Sequence, residues 1–73
     1  MEAFRNWRMQ LPENQRTLAQ AGKLLGVSGS TISRYEAGLR RVPPERVIAV
    51  ERITGIPRFV LRPDVFSPED KVA

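Results

Sequence analysis

The 73-residue chain has no cysteine and no histidine. Lack of cysteine excludes disulfides and thiolate chemistry. Lack of histidine removes the usual general base, the commonest metal ligand and the side chain that titrates near neutral pH. No glycine-rich phosphate loop and no paired-carboxylate pattern takes their place, so no enzyme activity, cofactor or metal is expected. No apolar run approaches the roughly 20 residues of a membrane span, and the N-terminus lacks the apolar core of a signal peptide. The expected location is the cytoplasm. Strand-like alternation, internal repeats and low-complexity segments are also missing.

Acidic residues are scarce over most of the chain. The net charge of +4 hides eleven Arg or Lys against five Glu in residues 1–62, and one Lys against three acids in 63–73. Ten of the twelve cations are Arg. Its planar fork pairs with phosphate, which favours nucleic acid among anionic partners. A merely soluble basic surface accounts for the charge equally well. A chain this short forms one domain at most, with a modest core.

Short helices fill the sequence. Phe4, Trp7 and Leu11 share a helical face, which predicts a first helix over about Glu2–Gln10, stopped by Pro12. "PENQR" reads as a turn. Thr17 with Gln20 three residues on is a capping pattern for a second helix. Ala21, Leu24 and Leu25 are its expected buried face and Gly26 its stop. Ser28 caps a third helix over about Gly29–Ala37, with Ile32 and Tyr35 apolar, and Gly38 ends it. "LRRVPP" is a basic connector. Pro44 opens a fourth helix with Val47, Val50, Ile53 and Thr54 inward, Gly55 ending it and Ile56 folding back. Pro57–Leu61 is a further helical turn. The fold class is therefore all-α: a compact domain of four to five helices over 1–66, followed by a flexible tail over 67–73.

The stretch "LLGVSGSTISRYEAG", Leu24–Gly38, is rich in Ser, Gly and Thr, which are poor helix formers. Such a cost over one helix face is more expected at a docking surface than on a free one. Counted from Leu18, apolar residues fall at positions 4, 8, 10, 15 and 18: Ala21, Leu25, Val27, Ile32 and Tyr35. These are core. Gly22 is small enough for the next helix to cross closely, and Gly26 can take a positive φ in the turn. This is a helix-turn-helix pattern with a sharp corner at Gly26–Ser28.

On these residues, "TLAQAGKLLGVSGSTISRYEAG" (Thr17–Gly38) resembles the Cro/repressor-type helix-turn-helix family of phage and bacterial regulators, a lambda-repressor-like fold. "RRVPPERVIAVERITGIPRFVLRPDVF" (Arg41–Phe66) is similar to its YdaS-like branch of antitoxins and Cro-like regulators. The resemblance implies that the third helix lies in the major groove of double-stranded DNA while the second bridges the backbone. It implies base contacts from Ser30, Ser33 and Arg34, with Arg34 reading guanine, and Ser30 and Thr31 are expected to bond to bases or touch a thymine methyl. Phosphate contacts are expected from Arg16, Thr17, Lys23, Ser28, Arg40 and Arg41. The chain departs from the family at Leu18, where many members carry a phosphate-bonding Gln, and at Gly29, where many carry Gln or Arg. Few direct contacts plus DNA shape are then expected to set the preference.

Glu36 is expected to pair with Arg5 or Arg8, or to be solvated. Trp7 is core or cover. Arg46, Arg52, Arg58 and Arg62 read as a solvated face that can also meet phosphate. Val42, Phe59, Val65 and Phe66 exceed the needs of a small core and are expected to form a homodimer contact, so that two subunits bind a palindromic operator. The expected function is a sequence-specific transcriptional regulator, chiefly a repressor, with RNA polymerase as a further partner. The alternative is an antitoxin whose main task is to bind and neutralise a toxin protein.

Overall fold

Proline and glycine divide the chain into its helices. The structure is a computed structural model and describes residues 2–66. Among these residues there are five α-helices, two single 3-10 turns and no strand. The first helix, α1, is Glu2–Met9, with Glu2 in its first turn and Arg8 in its last, both complementing the helix dipole. It tightens as it ends: Gln10 N–H donates to the Trp7 carbonyl and Leu11 N–H to the Arg8 carbonyl, each at 3.1 Å. Pro12 then leads into a 3-10 turn at Glu13–Gln15. Helix α2 is Leu18–Leu25 and α3 is Gly29–Ala37. A second 3-10 turn at Pro44–Arg46 precedes α4, Val47–Thr54, and α5 is the short Arg58–Leu61. The α4 helix starts later than Pro44 because the first turn is closed by 3-10 bonds, Arg46 N–H to the Pro43 carbonyl at 2.9 Å and Val47 N–H to the Pro44 carbonyl, and Arg46, at φ −105° and ψ −9°, departs from α-helical values.

The chain forms two compact units, divided between Arg40 and Arg41. In the first, α3 packs on both α2 and α1. Phe4, Ala21, Leu25, Ile32 and Tyr35 are buried there, and the Phe4 and Tyr35 rings lie 5.0 Å apart at a tilt of 31°. In the second, α4 and α5 pack together, and Val42, Val47, Val50, Ile56 and Leu61 are buried. The expected tail over 67–73 lies outside the described residues. No helix among the described residues is long and apolar enough to cross a membrane.

Three expected core positions differ. Leu24 is exposed, because the buried face of α2 is centred on Ala21, Gly22 and Leu25, and Leu24 sits about a quarter-turn or more away. Ile53 is 48% exposed. Thr54 takes the inward position instead, and its hydroxyl is satisfied locally: it donates to the Val50 carbonyl at 2.8 Å and accepts from Ile56 N–H at 3.1 Å. Val27 is only half-buried.

Two glycines in the turn are needed for different reasons. A Cβ on Gly22 would lie 2.4 Å from the Val27 carbonyl oxygen, so bulk is forbidden there. Gly26 has open space around it but a φ of +72°, so only the backbone conformation excludes side chains. Gly22→Ala should therefore cost about 1–3 kcal/mol through overpacking. Gly26→Ala should cost about 1–2 kcal/mol through left-handed strain, and Gly26→Asn distinctly less because Asn tolerates that region. Urea unfolding of these three variants and of Gly22→Asn checks this. Rescue by Asn at position 22 as good as at 26 would contradict the steric reading.

Candidate functional site

Only Gly26, Val27 and Ser28 separate α2 from α3, and hydrogen bonds close the corner on both sides. Thr17 caps α2 in an extended conformation, its hydroxyl accepting from Gln20 N–H at 3.2 Å. At the other end Val27 N–H donates to the Gly22 carbonyl at 2.8 Å. Ser28 caps α3: its Oγ accepts from Thr31 N–H at 3.2 Å and shares a 3.0 Å hydrogen bond with the Thr31 hydroxyl. The Thr31 side chain is thus half-buried and engaged in the cap.

The outer face of α3 carries Ser30, Ser33, Arg34 and Ala37, all exposed. At about 100° per residue they span roughly 100° of arc, opposite buried Ile32 and Tyr35. Ala37 is a member of this stripe that sequence reasoning missed. Its position three residues beyond Arg34 was the available signal. Gly29 is not part of the stripe. A Cβ there would lie 3.1 Å from Ala19 N and 3.2 Å from the Leu18 carbonyl carbon, so Gly29 faces the start of α2. Its smallness serves helix packing and says nothing about base reading. Among the described residues, Lys23, Arg34 and Arg40 are exposed and have no ion-pair or hydrogen-bond partner for their charged groups.

Arg5, Arg46 and Arg52 are likewise exposed with no such partner among the described residues, whereas the remaining arginines are engaged. Arg16 is half-buried, and its Nε and Nη2 donate to the Leu11 carbonyl at 3.1 and 3.0 Å. It braces the α1–α2 connection with these two groups. Glu36 pairs with Arg8, not Arg5: the contact is two-pronged, Nε to Oε2 and Nη2 to Oε1, the latter at 3.1 Å. The third prong, Nη1, donates to the Arg16 carbonyl at 2.8 Å. The hydrogen bond to Glu36 raises the Arg8 pKa further, against the opposing effect of burial. One arginine of α1 thereby holds α3 and the approach to α2.

In the second unit Arg41 lies 3.3 Å from Asp64, which also takes two hydrogen bonds from Arg62, at 2.9 and 2.7 Å. Arg41 is exposed but is shared with a carboxylate. Arg62 donates as well to the Val42 carbonyl at 3.0 Å. Of the expected dimer contacts, Val42 is 1% exposed and belongs to the core, so its side chain cannot form a surface contact. Phe59 and Phe66 are half-buried and Val65 is exposed. Arg58 sits 5.9 Å over the Phe66 ring while pairing with Glu51 at 2.9 Å. The exposed Ile53 and Val60 of this unit were not anticipated as surface residues. Among the described residues, no group of three or more metal-ligating side chains comes together.

The model of a protein family described as a helix-turn-helix domain matches residues 2–59. No curated protein and no solved structure matches the chain.

Two measurements check the ion pairs. Arg8→Ala and Glu36→Ala should each destabilise, and the double variant should lose less than their sum, with a coupling of about 1–3 kcal/mol in a urea-unfolding cycle. Strict additivity would contradict a working pair. The hydrogen bond from Arg62 lowers the Asp64 carboxyl from 3.8 to about 2. Its stabilising effect is full above the ordinary carboxylate value and is lost as pH falls through about 2. A carboxyl carbon titration by NMR should give a midpoint near 2 that moves up toward the usual carboxylate range in Arg62→Ala, with Arg41 still holding it partly down.

Proposed function

The chain belongs to the helix-turn-helix family, and on that premise we propose that it is a sequence-specific DNA-binding transcriptional regulator, acting as a repressor by occupying a promoter. The observation that carries this reading is the outer stripe of α3: small polar side chains and an Arg34 with no partner among the described residues, on a helix whose other face is locked in place. The major groove admits an α-helix, and a slim polar face lets the helix backbone come close to the base edges. Arg34 forks onto guanine O6 and N7, and Ser30 and Ser33 bond to neighbouring base edges. Thr31 supports the cap and reaches DNA only through its exposed part.

Phosphates are held by Thr17 and Ser28 at the starts of α2 and α3, where free N–H groups and the helix dipole favour anions. Lys23 and Arg40 add point charges. Arg41 joins them only by giving up Asp64. The second unit supplies the homodimer contact through Phe59, Val65 and Phe66, widened by Ile53 and Val60. Two copies then read a palindrome with half-sites about 34 Å apart. The alternative, neutralisation of a toxin protein, demands a small protein that co-purifies in fixed ratio.

Duplexes selected from a randomised pool, titrated at two salt concentrations against unselected DNA, test the reading. Wild type should prefer the selected duplex and lose affinity steeply with salt. Arg34→Ala should relax preference at one base pair by about 1–3 kcal/mol. Arg40→Ala should weaken all duplexes alike and lower the salt slope by about 1. Absence of both preference and salt slope would overturn the DNA reading; exchange of the two arginine effects would relocate the base contact.

A further inference from the structure

Three α-helices of this chain end on a left-handed glycine: Gly26, Gly38 and Gly55, with φ of 72°, 75° and 77°. An apolar residue follows each one: Val27, Leu39 and Ile56. At such ends the following residue normally folds back onto the last helical turn. Ile56 is 6% exposed and Val27 is half-buried. Leu39 is 80% exposed, more than any other large apolar side chain among the described residues. Its backbone is nonetheless fixed. Leu39 N–H donates to the Arg34 carbonyl at 2.9 Å, and Gly38 N–H to the Tyr35 carbonyl at 3.2 Å. In this arrangement the residue that normally receives the apolar contact is the one whose carbonyl is bonded, here Arg34.

A leucine in a defined backbone position therefore stands in water beside the arginine of the outer stripe, with Arg40 next in the chain. Neither guanidinium has a partner among the described residues. These two cations, one joined to Leu39 by a backbone hydrogen bond and the other next to it in the chain, oppose docking of a second copy through the same patch and attract a polyanion. In the major groove the apolar feature of a base pair is the thymine 5-methyl group.

Resting on the DNA-binding reading above, we propose that Leu39 is a specificity-determining residue that packs against a thymine methyl next to the guanine read by Arg34. The pair then reads a guanine–thymine neighbourhood, Arg34 by hydrogen bonds and Leu39 by apolar contact. The contact removes one methyl group and part of a leucine from water, which corresponds to about a three- to tenfold change in affinity.

The test uses the full chain and its best duplex from a randomised pool. Each thymine is replaced singly by deoxyuridine, which deletes only the methyl, and affinities are measured for wild type, Leu39→Ala and Arg34→Ala. Wild type should lose about three- to tenfold at one thymine per half-site, and Leu39→Ala should be insensitive to that replacement. The sensitive thymine should adjoin the base pair at which Arg34→Ala loses preference. Sedimentation and thermal melting of Leu39→Ala should match wild type, since the side chain is exposed. The proposal is overturned if Leu39→Ala binds like wild type, if it weakens all duplexes equally (a sugar contact), or if it changes the oligomeric mass (a contact between copies). Failure of wild type to select any duplex would instead sink the DNA reading beneath it.

Discussion

The distance between Gly22 and the Val27 carbonyl governs the rest of the first unit. A side chain of even one carbon would stand 2.4 Å from that oxygen. Without one, the backbone after α2 folds directly over its last turn, and Val27 N–H bonds back to Gly22 at 2.8 Å. Gly29 repeats the device where α3 begins, close against Leu18 and Ala19. Backbone meets backbone at both places. Such contacts have fewer soft degrees of freedom than contacts between long side chains, so the direction of α3 is set firmly. Ala21, Leu25, Ile32 and Tyr35 then bury the inner faces, and the opposite stripe of α3 has one defined presentation.

The arginines do two kinds of work. Arg8, Arg16, Arg58 and Arg62 are bound to carbonyl and carboxylate oxygens of their own unit. They replace apolar contacts that a short chain cannot supply in number. Arg5, Arg34, Arg40, Arg46 and Arg52, like Lys23, have no such partners among the described residues. Net charge counts both kinds alike. Only the second kind is available for phosphate or base edges without first breaking an internal bond.

Much of this was legible in the residues. Caps and glycines fixed the limits of α2 and α3, because a cap is chemistry within three or four residues: Thr17 to Gln20, Ser28 to Thr31, Gly38 to Tyr35. The alternation of apolar and small polar residues along α3 likewise identified both of its faces. Misreadings occurred where a local pattern allowed two answers. Leu24 and Leu25 are equally apolar, and Leu25 is the one on the face shared by Ala21 and Gly22 in a helix against which α3 packs. Thr54, four residues after Val50, lies on the Val47–Val50 face with its hydroxyl paired, and Ile53 lies off that face.

The sequence by itself determined the all-helical class, the helix-turn-helix, the caps and the outward stripe of Ser30, Ser33 and Arg34. These depend on spacing along one chain segment, and helical geometry converts spacing into a face. Tertiary structure alone decided which cations are free, that Glu36 takes Arg8 rather than Arg5, that Gly29 serves α2, and that Leu39 stays in water. Each of these is a meeting of residues from different elements, or a meeting that fails to occur. A charged or apolar side chain carries no local sign of which partner it will reach.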